Sequence, residues 1–237
     1  MFRVSKVSKT VCVANVRSYS RAILTKLENN NALIYGIMGT NVLVFGAWYQ
    51  SRTDYALNRF MVNNFTTSYH SVLKRYKLHT LVTSMFSHMN ISHLALNMVT
   101  LYFFGSQALA VLGARSFMAL YFGGGITASG CHVLLPYIVP DSWSRRLRHS
   151  MYANALGASG AVSAVVAWSI FNAPFSIVYV YFVLPVPAAL FGVLYLSSEF
   201  WDLYQGGSGS GNAAHIGGAA FGASYFLLKN SRRFLRR

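Results

Sequence analysis

Residues 156–171 read LGASGAVSAVVAWSIF. Small residues open the stretch at Gly157, Ala158, Ser159, Gly160 and Ala161, and an uncharged apolar run follows. Its length falls just short of the ~20 residues that cross a hydrocarbon core as a helix. The run fits a helix that begins or ends inside a bundle, with Ser159 where a loop turns into that helix.

Five further apolar segments flank it, at 32–49, 88–109, 117–139, 175–197 and 213–228. Across its 237 residues the chain is 54% hydrophobic and only 11% charged. That is too apolar for an ordinary soluble domain and long enough for several spans. Spanning segments must be helices or closed barrels, because backbone polar groups find no partners in lipid. These long runs lack the alternation of barrel strands. The expected fold class is therefore an all-α membrane protein of six transmembrane helices.

The formal net charge is +15, from 20 Lys and Arg against 5 Asp and Glu. Most of this charge lies at the chain ends and in the gaps between apolar segments, which points to topology rather than nucleic-acid binding. With six spans, the N-terminus, Arg115 and the C-terminal tail share one side and hold twelve of the twenty basic residues. That side is expected to be the matrix in a mitochondrion, or the cytoplasm elsewhere. The first 27 residues carry Arg3, Lys6, Lys9, Arg17, Arg21 and Lys26 and no acid before Glu28. An Arg- and Ser-containing, acid-free leader without a continuous apolar core has the composition of a mitochondrial transit peptide. The alternative is a basic tail obeying the positive-inside rule. The organisation expected is a targeting leader at 1–30, a six-helix domain at 31–229 and a basic tail at 230–237, in a multi-pass protein of the mitochondrial inner membrane. The gap at 50–87 is long enough to be functional or structured. Cys12 and Cys131 have neither metal-ligand spacing nor a disulfide pattern, and Cys131 on an apolar helix reads as packing material.

Polar residues inside apolar segments carry the chemistry. At Ser159, the flanking Gly157 and Gly160 let a substrate backbone approach. A helix N-terminus there offers unpaired N–H groups to a developing oxyanion. Taken alone, Gly-x-Ser-Gly is also the pattern of small-residue helix packing. His215 opens the last segment, and Gly211, His215, Gly218 and Gly222 form one helical stripe. The glycines allow a partner helix to press close, and the histidine projects into the contact. An intramembrane histidine is a functional candidate by default, although a structural histidine bonded to a carbonyl fits the same position. His93 and Asn97 share a helix face four residues apart, with His88 just before them. Both can donate to an oxyanion, or can bond across helices as structural glue. A metal held by His88, His93 and His215 is disfavoured, since no carboxylate falls within the predicted spans.

Taken together, these motifs resemble the rhomboid family of intramembrane serine proteases, from about residue 80 to 228. The resemblance rests on His88, on His93-Leu-Ala-Leu-Asn97, on Gly157-Ala-Ser159-Gly160, and on Ala214-His215-Ile216-Gly217-Gly218 followed by Gly222. Their order on the second, fourth and sixth segments makes the combination specific. The phrases Thr83–His88 and Ala213–Ala219 are most similar to the mitochondrial, presenilins-associated rhomboid-like branch. This branch often adds a span ahead of the six-helix core; none is read here.

The resemblance implies a six-helix bundle that hydrolyses peptide bonds in or near transmembrane helices, by a Ser159–His215 dyad without a third carboxylate. The oxyanion would be held by His93, Asn97 and the Ser159 N–H. His88 would belong to a watered polar cavity, and Gly157, Gly160, Gly218 and Gly222 would support the site. No cofactor or metal is implied. Partners would be membrane-protein substrates in the bilayer, not nucleic acid. The alternative is a non-proteolytic rhomboid-like protein that binds transmembrane helices for import or quality control. Two departures stand out. Some members carry an aromatic residue four positions after the nucleophile that stacks on the histidine; here Ser163 stands there, so His215 must be oriented otherwise. The Trp-Arg pair in the first loop of many bacterial members has no counterpart in Lys74-Arg75-Tyr76.

Overall fold

The computed structural model describes residues 31–138, 153–180, 183–205 and 211–234. The leader, most of the arginine-containing loop after Pro140, most of the Gly-rich link at 206–211 and the end of the basic tail lie outside the described residues. The described chain is mostly helical. Three helices are long and apolar enough to cross a membrane. These are α1 (Asn31–Gln50), α3 (Ile91–Leu112, with a π turn at Leu101–Gly105) and α4 (Ala114–Ile138).

Between α1 and α3 the long gap is folded. Helix α2 (Tyr55–Phe65) starts at Asp54, whose carboxylate accepts from the Leu57 N–H at 3.0 Å. Such a cap contributes about 1 kcal/mol. A π-helical turn (His70–Lys74), a short helix (Thr80–Thr83) and a 3-10 turn (Ser84–Phe86) follow. Ser87 Oγ donates to the Phe65 carbonyl at 2.7 Å and Lys77 Nζ to the Asn63 carbonyl at 3.1 Å, tying this segment to the end of α2.

Helix α5 (Ser159–Asn172) is short, as expected, and sits at the centre. Every residue from Gly160 to Ser169 is buried. At 1.5 Å rise per residue its length is about 21 Å, against a ~30 Å hydrocarbon core. It packs against α4 and α7. A helix buried on all sides gains little from leaving lipid, so close van der Waals contact must hold it. Small residues permit that contact. A Cβ at Gly124 of α4 would lie 2.3 Å from Ala164 Cβ, and one at Gly160 would lie 2.4 Å from Ala128 Cβ.

The fifth segment departs from expectation. Instead of a helix over 175–197, residues Ile177–Val180 and Leu184–Pro187 form an antiparallel pair, β1 and β2. Helix α6 then runs over Ala188–Gln205. Pro185 and Pro187, so close together, disfavour a helix, and the β-branched and aromatic residues of IVYV suit a strand. The helix therefore begins later and extends past the predicted end at 197, through Glu199 and Asp202. The last helix, α7 (Asn212–Phe234), is also longer than the apolar segment 213–228.

Candidate active site

Ser159 is the first residue of α5, after a loop with two constraints. Gly157 has φ +137°, which L side chains rarely adopt, and a Cβ there would meet His93 Cε1 at 2.9 Å. Thr67 and Ala155 exchange backbone hydrogen bonds at 2.8 Å, and Gly157 N–H donates to the Ser84 carbonyl at 2.9 Å. The folded gap after α2 thus holds the turn that presents the serine. This explains why so long a connection is structured.

His215 enters from the first turn of α7. Its Nε2 stands 2.8 Å from Ser159 Oγ. The approach depends on the glycine stripe: a Cβ at Gly218 would lie 2.1 Å from the Gly160 carbonyl oxygen, and one at Gly222 would lie 2.1 Å from that of Ala164. Both helix backbones are in direct contact, so the serine and histidine at the ends of that contact are brought together. The bare motifs leave helix packing and chemistry as alternatives; the structure shows the close packing, and with it a serine–histidine hydrogen bond.

The other ring nitrogen corrects the expectation of a pair without a carboxylate. His215 Nδ1 is 3.0 Å from Glu199 Oε1, with the two side chains 22% and 13% exposed. A fifth segment ending at 197 leaves Glu199 outside the spans. The delayed start of α6 puts it on the helix, facing His215. One turn earlier, Tyr195 lies on the same face: its ring is 6.4 Å from the His215 ring, and its hydroxyl is 3.1 Å from Ser163 Oγ. Ser163, where some relatives carry a stacking aromatic, instead holds a tyrosine from α6 beside the histidine.

His93, Ser159 and His215 share a cavity of about 240 Å³ with Thr67, Ser129 and His132. Asn97 does not line it. Its Nδ2 donates to the His93 carbonyl at 2.9 Å, one turn back on the same helix. The expectation that His88 belongs to a watered cavity also needs correction. His88 is fully buried and accepts from the Ala158 N–H at 3.5 Å, with its ring edge-on to His93 at 5.0 Å. It holds the turn before the serine rather than lining the cavity. Lying ahead of α3, it is held down to about 4, chiefly by burial and then by His93, so it is neutral at pH 7. Cys131 packs on α7 where a Cβ at Gly217 would meet its Sγ at 2.5 Å. Among the described residues, no group of three or more His, Cys, Asp or Glu is arranged to hold a metal ion.

A serine hydroxyl bonded to an imidazole, at the N-terminus of a helix and beside a polar cavity, can support nucleophilic acyl transfer. Its setting is an apolar helical protein in which three of the described helices are long and apolar enough to cross a membrane. The Rhomboid domain matches residues 75–232, and the chain belongs to the rhomboid family. It is 33% identical to RHOMBOID-like protein 12, mitochondrial, of Arabidopsis thaliana, over 85% of this chain and 60% of that protein. It is 30% identical to Rhomboid protein 1, mitochondrial, of Saccharomyces cerevisiae, over 81% of this chain and 52% of that one. It is also 30% identical to the human Presenilin-associated rhomboid-like protein, mitochondrial, over 84% and 48%. The chain thus spans about half to three fifths of the length of these relatives.

Proposed function

We propose that this chain is an intramembrane serine endopeptidase of the mitochondrial inner membrane, built on a six-span bundle. The observation that carries the reading is the 2.8 Å contact between Ser159 Oγ and His215 Nε2 across the glycine-lined contact of α5 and α7. The family of the chain and the mitochondrial relatives support it. Ser159 Oγ attacks the scissile carbonyl carbon while His215 Nε2 takes its proton. The tetrahedral oxyanion is held by the Ser159 N–H at the start of α5 and by His93. The second N–H of Asn97 assists if its side chain turns inward. A single strong donor of this kind is worth ~3–4 kcal/mol. Collapse breaks the C–N bond, and His215 delivers its proton to the leaving amine. The acyl group stays on Ser159 until water, activated by His215, attacks the ester carbonyl, releases the new carboxyl end and restores the serine. His215 is 22% exposed, so water can reach it. The substrates are membrane proteins with a helix that unwinds near its end, which lets an extended backbone pass Gly157.

The test uses purified protein in detergent or vesicles, a panel of single-span substrates and a fluorophosphonate probe. Wild type should cleave at least one substrate and take the label on Ser159, and Ser159→Ala should do neither. His215→Ala should lose both to a similar degree, and the double variant should lose no more than either alone. A folded wild type that neither cleaves nor labels would replace this reading with the non-proteolytic, helix-binding one.

A further inference from the structure

We propose that strand β1 is a self-pairing edge, through which two copies of this chain join in the membrane as an antiparallel β1–β1 dimer. The proposal uses the membrane setting of the chain and not its protease chemistry. Between Asn172 and Glu199 the sequence carries no charge. Strands β1 and β2 hold only aliphatic, aromatic and proline residues, and Ile177, Tyr179 and Leu184 are exposed. Among the described residues the sheet has two strands, so each strand has an outer edge. An open edge facing hydrocarbon is not tolerated, because its N–H and C=O groups find no partners in lipid.

The register tells the two edges apart. Ala188 N–H donates to the Ser176 carbonyl at 2.8 Å. Opposite residues of an antiparallel pair alternate between bonded and non-bonded. Counting on from Ser176 and Ala188, Val178–Val186 and Val180–Leu184 are bonded pairs, while Ile177–Pro187 and Tyr179–Pro185 are not. The backbone groups of these last four residues therefore point out of the hairpin. On β2 both outward positions are prolines, which have no N–H, so that edge cannot extend a ladder. On β1, Ile177 and Tyr179 keep both N–H and C=O, placed symmetrically about Val178. A second β1 running the other way matches this spacing. Ile177 exchanges two hydrogen bonds with the partner's Tyr179, and Tyr179 two with the partner's Ile177, around a twofold axis at Val178. The proline edges lie outermost, so the assembly closes as a dimer instead of growing into a fibre.

A cavity of about 500 Å³ adjoins this edge, between Phe103, Phe104 and Gln107 of α3 and residues Ser176–Tyr179. A lipid chain would fill the volume and leave the Ile177 and Tyr179 N–H groups unpaired. A helical substrate offers backbone groups only where it is unwound, and unwinding is needed at Ser159, at the far end of α5, which is about 21 Å long. A second copy brings a matching strand that is already extended.

The experiment uses the full chain in vesicles at low protein density, with Cys12→Ser and Cys131→Ala. On the twofold axis the two copies of Val178 form a non-bonded pair, with Cα atoms about 4.5 Å apart, within the ~4.4–6.8 Å that a disulfide spans. Val178→Cys should therefore cross-link to twice the chain mass under mild oxidation. Val186→Cys should not, since three strand spacings put its two copies about 14 Å apart. Subunit counting by stepwise photobleaching should find two chains per spot in wild type and one in Ile177→Pro/Tyr179→Pro. These prolines remove outward N–H groups only, as Pro185 and Pro187 do on β2, so helical circular dichroism should be unchanged. If that double variant loses its helicity, the contrast between Val178→Cys and Val186→Cys decides alone. Equal cross-linking at 178 and 186, or single chains in wild type, would overturn the proposal. So would a dimer that survives in a folded Ile177→Pro/Tyr179→Pro. A monomeric wild type whose edge variants raise KM for a membrane substrate would assign the edge to the substrate instead, and also overturn it.

Discussion

A Cβ on Gly218 would lie 2.1 Å from the carbonyl oxygen of Gly160, one residue beyond the serine. The obstacle is backbone, so no side chain can swing aside. Gly218→Ala must push α7 away from α5 at the level of the Ser159–His215 hydrogen bond. Overpacking of this kind costs about 1–3 kcal/mol, and a 1 Å misplacement of catalytic groups can cost on the order of 10²-fold in rate. Gly222→Ala meets the Ala164 carbonyl at the same 2.1 Å, one turn further from the site. Melting should therefore fall in both variants, while cleavage falls further in Gly218→Ala. Gly130→Ala, whose Cβ would meet nothing within 4 Å, should leave both unchanged. Equal activity in Gly218→Ala and Gly130→Ala would show that the helix contact does not set the geometry.

The oxyanion donors are separable by the same logic. His93 lines the cavity with Ser159, whereas Asn97 donates to the His93 carbonyl. His93→Ala should lower turnover by ~10²-fold or more if it donates as oxyanion side chains do elsewhere. Asn97→Ala should lower turnover with melting unchanged if its second N–H turns inward. Unchanged turnover and lowered melting would assign Asn97 to holding the α3 backbone. The double variant should be less than additive if both act on one oxyanion.

Much of this site was legible because lipid makes polar residues conspicuous. Ser159, His215 and His93 each interrupt an apolar run, and Gly218 and Gly222 fall on the histidine's own stripe. Glu199 was missed for a related reason. A hydropathy boundary drawn at 197 discards the first charge it meets, and that charge is the one facing His215. The signal was present in Pro185 and Pro187: two prolines one residue apart disfavour a helix there, which favours a later start and a later end, carrying Tyr195 and Glu199 onto one face four residues apart. The role of His88 was not legible, because its partner is a backbone N–H seventy residues away in sequence. No residue pattern encodes that contact, which exists only once the gap after α2 has folded against the turn before α5.

The targeting role expected of residues 1–30 can be tested independently of the fold. Residues 1–30, with six basic residues and one acid at Glu28, should carry a soluble fluorescent protein into mitochondria when fused to its N-terminus. Replacing Arg3, Arg17 and Arg21 with glutamine should abolish this. Secretory or diffuse cytosolic fluorescence of the unaltered fusion would refute the targeting role.

The last prediction concerns the turn that presents the serine. His88 accepts from the Ala158 N–H, which only a neutral ring can do. Burial holds it down to about 4, from an ordinary 6.5. Between these values the unfolded chain binds a proton at this position that the folded chain does not, so stability rises with pH across that window. The stability associated with neutral His88 is therefore complete above 6.5 and is lost as pH falls towards 4. His88→Gln supplies an acceptor that does not titrate. Its melting temperature should depend less on pH than that of wild type within this interval, and the two should be closest near neutrality. Equal slopes would mean that protonation of His88 does not loosen the fold, and that the turn before Ser159 is held by Gly157 and Thr67 without it.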